Sequence, residues 1–221
     1  MLLNARRALI VAASLLAAAV LLGVLVSWSA TSGAIQRVDD SVFRWAQNVE
    51  SAPLVKLAKA FDVLGSTWVN WSVRAVALAV LAVRRRWLHL AALALAVLTS
   101  EILIGTLKAA YARPRPPDAL ISTSGFSFPS GHAIASAVTA VALVVVLIPP
   151  GARRWAFEIW AALFAFVMAL SRVYLRAHWL SDVVAGGLLG AGLAIGWPAL
   201  LQVLSRRDDL ADRGVPAAGK Q

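Results

Sequence analysis

ALIVAASLLAAAVLLGVLVSW, residues 8–28, contains no ionisable side chain. At about 1.5 Å per residue a helix of that length spans roughly 30 Å, enough to cross the hydrocarbon core of a bilayer. Arg6 and Arg7 before it, with small residues from Ser27 to Ala30, also fit a cleaved signal peptide. The apolar run, however, exceeds the roughly 7–15 residues of a signal core, and further apolar segments follow. The reading as a spanning helix therefore sets the class of the whole chain.

Working outward, five more windows share this character: Ser66–Val83, Trp87–Leu107, His132–Ile148, Trp155–Leu170 and Val183–Leu204. The expected fold is all-α, an integral membrane bundle of six transmembrane helices over residues 1–204. A composition of 60% hydrophobic and 14% charged residues supports lipid as the main solvent. The segment 205–221 mixes charge with Gly, Pro and Ala and shows no apolar period, which predicts a disordered cytoplasmic tail.

The formal net charge is +10. Clustered cations can mark a nucleic-acid binder, but here Arg6, Arg7, Arg84 to Arg86, Arg153, Arg154, Arg206 and Arg207 all lie at the ends of apolar segments. That is the placement the positive-inside rule gives to cytoplasmic flanks. With both termini cytoplasmic, all these clusters fall on one side, and no nucleic-acid partner is called for. The absence of cysteine excludes disulfides and thiolate chemistry.

The outward segments are then 29–65, 108–131 and 171–182. In the first, Arg37, Arg44, Lys56 and Lys59 are matched by Asp39, Asp40, Glu50 and Asp62, and Val38, Val42, Trp45 and Val49 recur at helical spacing. This predicts an amphipathic helix on the membrane surface between the first two spans. In the other two, Lys108, Arg113, Arg115, Arg172 and Arg176 face only Asp118 and Asp182. Unpaired cations on that side point to an anion.

Three clusters carry the candidate chemistry. His178 and Asp182 are four apart, so on a helix the carboxylate could fix the imidazole tautomer and leave one nitrogen as a nucleophile toward phosphorus. The same pair also fits a helix N-cap beside an interfacial histidine. Ser130 and Gly131 open an apolar helix whose first N–H groups would face a bound anion, with His132 placed to protonate a leaving oxygen. Here too a plain capped helix end, with Ser130 as the cap, fits the residues. Arg113, Pro114, Arg115 and Pro116 form a stiff extended segment that presents guanidinium forks, and Lys108 adds a point charge. Snorkelling to lipid headgroups is the alternative, best suited to Arg113 and Arg176.

The order Lys108, Arg115-Pro116, then Pro129-Ser130-Gly131-His132, then Ser171-Arg172 with His178 and Asp182 resembles the three-part signature of the type-2 phosphatidic acid phosphatase family. That resemblance implies a phosphatase needing no metal or other cofactor. In it His178 attacks, Asp182 orients, His132 serves the leaving group, and Lys108, Arg115, Ser130, Gly131 and Arg172 hold phosphate. It implies a lipid phosphate substrate such as undecaprenyl diphosphate, phosphatidate or phosphatidylglycerophosphate, and a multi-pass protein of a bacterial inner or plasma membrane facing the periplasm or exterior. A lipid-phosphate binder or transporter without turnover is the alternative, although such a binder has no need of His178 backed by Asp182.

Two further expectations concern packing. Gly186 with Gly190, and Gly192 with Gly196, place small residues four apart for close helix contact. Arg74 and Glu101 fall about 12 Å and about 9 Å below the outer ends of their helices, a matching depth that predicts an intramembrane ion pair.

Overall fold

The computed structural model describes residues 4–213, which fold into eight helices with no strand among the described residues. They are α1 (Ala5–Ser27), α2 (Ser29–Asn48), α3 (Ala52–Leu64), α4 (Thr67–Val83), α5 (Trp87–Tyr111), α6 (Gly131–Leu147), α7 (Arg154–Tyr174) and α8 (Leu180–Arg213). Four are long and apolar enough to cross a membrane: α1, α5, α7 and the Leu180–Arg206 part of α8. The expected span Ser66–Val83 is α4, which reaches that length only jointly with α3 across a 45° bend. The span expected at His132–Ile148 is α6, apolar but 17 residues long, at the short limit of about 17–25 for a crossing helix.

Two helices, not one, occupy residues 29–64. Pro53 falls in the first turn of α3, a position it favours and one at which it cannot prolong the preceding helix. The break is tied down by Tyr174, whose hydroxyl accepts from Ser51 N (3.0 Å) and donates to Val49 O (3.1 Å). At the other end of the chain, α8 continues to Arg213, past Leu204, where the expected domain ended and a disordered tail began. Leu, Ala and Arg in that stretch are good helix formers. Residues 214–221 lie outside the described residues.

The core forms where α5, α6 and α8 meet, with Leu81, Leu93, Val97, Ile134, Val138 and Leu193 in one buried cluster. Gly190 lets α8 and α6 touch: a Cβ there would fall 2.6 Å from the Ile134 carbonyl oxygen and 2.8 Å from the Ala137 methyl. Gly192 serves the opposite face, against Leu16 and Ala12 of α1. The small-residue spacing is thus used twice, once toward each neighbour.

The intramembrane ion pair expected from sequence is present. Arg74 Nη1 donates to Glu101 Oε1 at 2.7 Å, and the fully buried guanidinium also donates to Thr139 Oγ1 (2.9 Å) and Ala135 O (3.2 Å). Asn70 accepts from Thr139 Oγ1 at 2.9 Å. A buried cation is tolerated only when its donors are met in this way.

Candidate active site

Left-handed Ala112 (φ 44°) ends α5, and Arg113 to Pro116 then leave the helix in the extended run the prolines dictate. Three backbone hydrogen bonds gather the motif segments: Ser127 N to Arg113 O (2.8 Å), Leu120 N to Leu175 O (3.0 Å) and Ser130 N to Asp182 O (3.0 Å). Lys108, Arg115, Ser130, Gly131, His132, Arg172, His178 and Asp182 are thereby brought to one end of the bundle.

His178 lies in the bend between α7 and α8, not on a helix as its spacing to Asp182 suggested. Its ring is 3% exposed. Nε2 lies 3.2 Å from Arg115 Nη1, and a guanidinium can only donate. Nε2 therefore offers its lone pair, so the ring proton sits on Nδ1, which faces Asp182 Oδ2 at 3.4 Å. Burial, followed by the charges of Arg115 and Lys108, pushes the His178 pKa down to about 4 against the opposing pull of Asp182. The imidazole is neutral at physiological pH.

Asp182 stands in the first turn of α8, where its Oδ2 accepts from Trp179 N at 2.9 Å, the half of a capping box made by the third helical residue. Its Oδ1 accepts from Arg113 Nη1 at 2.7 Å. Arg113 reaches further, donating to Asp39 Oδ2 (2.7 Å) and Gln36 Oε1 (2.9 Å) on α2. Asp39 in turn accepts from Ser181 N and Oγ. Snorkelling is thus excluded for Arg113, a partly buried bridge between two carboxylates, and for Arg176, which pairs with Glu50 at 3.2 Å.

Ser130 caps α6, its Oγ accepting from Ala133 N at 3.4 Å. Lys108 Nζ donates to Phe126 O at 2.5 Å. Arg115 is clamped by the carbonyls of Ser124, Gly125, Phe126 and Ala177. Arg172 pairs through Nη1 with Asp62 of α3, while its buried Nε has no partner. Arg113 and Arg172 pair with Asp39, Asp182 and Asp62, whereas Lys108 and Arg115 meet carbonyls and His178 and no carboxylate, so the four cations outnumber the three acids and a net positive charge remains for an anion.

Asp39 and Asp62 were not read as site residues because cations and acids balance in number within residues 29–65, and Arg113 was read, with Arg176, as best suited to snorkelling. A signal was present nonetheless. Asp39 shares the helical face of Val42 and Ala46, and Asp62 that of Val55 and Ala58; these four apolar residues pack inward. An acid on an apolar face needs a buried partner.

A family model described as the PAP2 superfamily matches residues 87–206, more than half of the chain. The chain belongs to the PAP2 superfamily. The resemblance carried by the three motifs is borne out. Among curated PAP2-like relatives, undecaprenyl-diphosphatase of Sulfolobus acidocaldarius is 35% identical over 37% of this chain and 33% of that protein. Phosphatidylglycerophosphatase B of Bacillus subtilis is 38% identical over 42% of this chain and 48% of that protein. The matched part of the chain thus spans a third to a half of these two relatives. The crystal structure of the first transmembrane PAP2 type phosphatidylglycerolphosphate phosphatase from Bacillus subtilis superposes with TM-score 0.73 and 25% identity, covering 89% of this chain and 96% of that one. This PAP2 chain is an all-helical membrane protein.

Proposed function

We propose that this PAP2 protein is a membrane lipid phosphatase that hydrolyses a phosphomonoester or diphosphate headgroup through a phosphohistidine. The observation that carries the reading is His178: neutral, with Nδ1–H toward Asp182 and the Nε2 lone pair beside Arg115. A binding protein needs the cations but not a tautomer-fixed imidazole.

The phosphoryl oxygens are held by Lys108, Arg115, Arg172 and the start of α6 at Ser130 and Gly131, where the first N–H groups of the helix face the anion. His178 Nε2 forms the bond to phosphorus, and Asp182 stabilises the positive charge that grows on the ring. His132 gives its proton to the leaving oxygen of the lipid. Water then attacks the phosphohistidine, His132 takes up its proton, and phosphate leaves. No step calls on a metal.

Six spans are the finer reading of the fold, with α4 and α6 completing the four longer helices and α2 and α3 lying on the membrane surface. Both termini then face the cytoplasm, and the site faces the outside of a bacterial inner or plasma membrane. Undecaprenyl diphosphate and phosphatidate or phosphatidylglycerophosphate are the proposed substrates; the names of the two relatives support the first and the last. The domain is proposed to end near Leu204.

The decisive experiment is phosphate release from these lipids by the purified protein in detergent, with and without EDTA. Turnover that survives chelation supports the reading. Binding of the same lipids with no release points to a carrier and overturns it.

A further inference from the structure

Nothing in the three motifs accounts for Asp62. It lies in the last turn of α3, outside the matched region, yet its Oδ1 meets Arg172 Nη1 and stands 3.4 Å from His132 Nε2. Asp62 and His132 are each 29% exposed at the side chain, so they form the accessible side of a site whose other histidine is buried.

The main chain keeps this carboxylate in place. Ala58, one turn earlier on the same face, packs with Tyr174 and Leu175. Three residues after Asp62, the α3–α4 corner lies against the imidazole: a Cβ on Gly65 would stand 2.8 Å from His132 Cδ2 and 2.7 Å from Met168 Sδ. Cδ2 and Nε2 are adjacent ring atoms and both face this corner, so Nδ1 lies on the opposite edge. Arg172 holds Asp62 through Nη1 and retains a buried, unpartnered Nε for another acceptor.

We propose that Asp62 is the positioning residue of the acid histidine, so that each histidine of the site is backed by its own aspartate. This rests on the phosphatase reading above. Asp62 accepts from His132 Nε2–H and stabilises the imidazolium, which leaves Nδ1–H as the donor. When the His178 Nε2–P bond forms and the bond from phosphorus to the lipid oxygen breaks, the Nδ1 proton goes to that oxygen and a neutral alcohol departs. Water restores the proton to His132 as it hydrolyses the phosphohistidine.

The test compares two leaving groups in the full-length protein: phosphatidate, whose alkoxide needs the proton, and 4-nitrophenyl phosphate, whose phenolate does not. For Asp62→Asn, kcat/KM on phosphatidate is expected to fall about 100-fold, in the range of general acid catalysis, and on the aryl ester at least tenfold less. His132→Asn should show the same split, and the double variant should be no worse than His132→Asn alone. Asp62→Glu, which keeps the carboxylate, should recover part of the loss and serves where the amide variant does not fold. Equal losses on both esters would reduce Asp62 to a structural contact, and a gain on both would make it an anion that only blocks Arg172. Either outcome overturns the proposal while leaving the phosphatase reading intact. A wild-type protein that releases phosphate from neither ester, nor from undecaprenyl diphosphate or phosphatidylglycerophosphate, overturns both.

Discussion

At the residue scale, the site turns on which nitrogen of each histidine carries a proton. Arg115 decides this for His178, because a guanidinium beside Nε2 forces the proton onto Nδ1. Replacement of His178 by Ala is expected to abolish phosphate release while lipid binding, measured on the same preparation, stays within a few-fold of wild type. The depressed pKa of His178 also sets a sign. A group lowered to about 4 stays neutral through the range in which an ordinary histidine, at 6.5, becomes charged. The acid limb of kcat/KM due to this group should therefore fall near pH 4. A limb at the ordinary histidine value would show that Nε2 is solvated in the working enzyme. His178 and Asp182 were legible as a pair four residues apart, but their geometry was not: the helix starts at Leu180, and the spacing alone could not reveal that His178 precedes it in a bend.

At the scale of elements, the most constrained contact is between α6 and α8. Gly190 meets main chain across that contact, and main chain cannot yield as a flexible side chain can. Gly190→Leu is expected to cost about 1–3 kcal/mol or more, as overpacking does, and to lower the thermal unfolding midpoint in detergent. Gly187→Leu, where an added Cβ meets nothing within 4 Å, should leave that midpoint unchanged. The two glycine pairs could be read from sequence because close helix approach has a four-residue signature. The division of residues 29–64 into two helices could not, since apolar periodicity runs on across Ser51 while Pro53 and the Tyr174 hydrogen bonds impose the break. The acids of α2, α3 and the break between them were misassigned for a related reason. Neighbouring cations in the chain seemed sufficient partners, whereas Asp39, Glu50 and Asp62 pair with Arg113, Arg176 and Arg172 from distant segments.

At the scale of the molecule, one polar system runs through the apolar interior: Asn70, Arg74 and Glu101 with Thr139. Removing one partner of a buried pair strands a charge in a low dielectric, at a cost of about 3–5 kcal/mol. Arg74→Met and Glu101→Leu should each reduce the yield of folded protein, and the double replacement should recover most of it. Three equal losses would mean the ion pair contributes little. Topology is open to a direct check because the chain has no cysteine. With six spans, cysteines introduced singly at Ser122 and Ser205 should label from opposite sides of the membrane; labelling of both from one side would exclude the three crossings, α6, α7 and α8, expected between these two positions. The matching depth of Arg74 and Glu101 was readable in the sequence because each helix end could be located. The length of α6 was readable as well: the expected segment and the helix both run to 17 residues, and Pro149 and Pro150 close the apolar run just past Ile148.

The hydrogen bond from Ser130 N to the Asp182 carbonyl has a wider consequence. It joins the start of α6, proposed above to hold phosphate, to Asp182 behind the proposed nucleophile, over a helix contact at which Gly190 leaves no room for a side chain. The two ends of the proposed site are tied to each other through main chain and not through exchangeable side chains. Retuning the protein for another lipid tail should thus be possible by redesigning the lipid-facing sides of α4 and α5, with the seam between α6 and α8 left untouched.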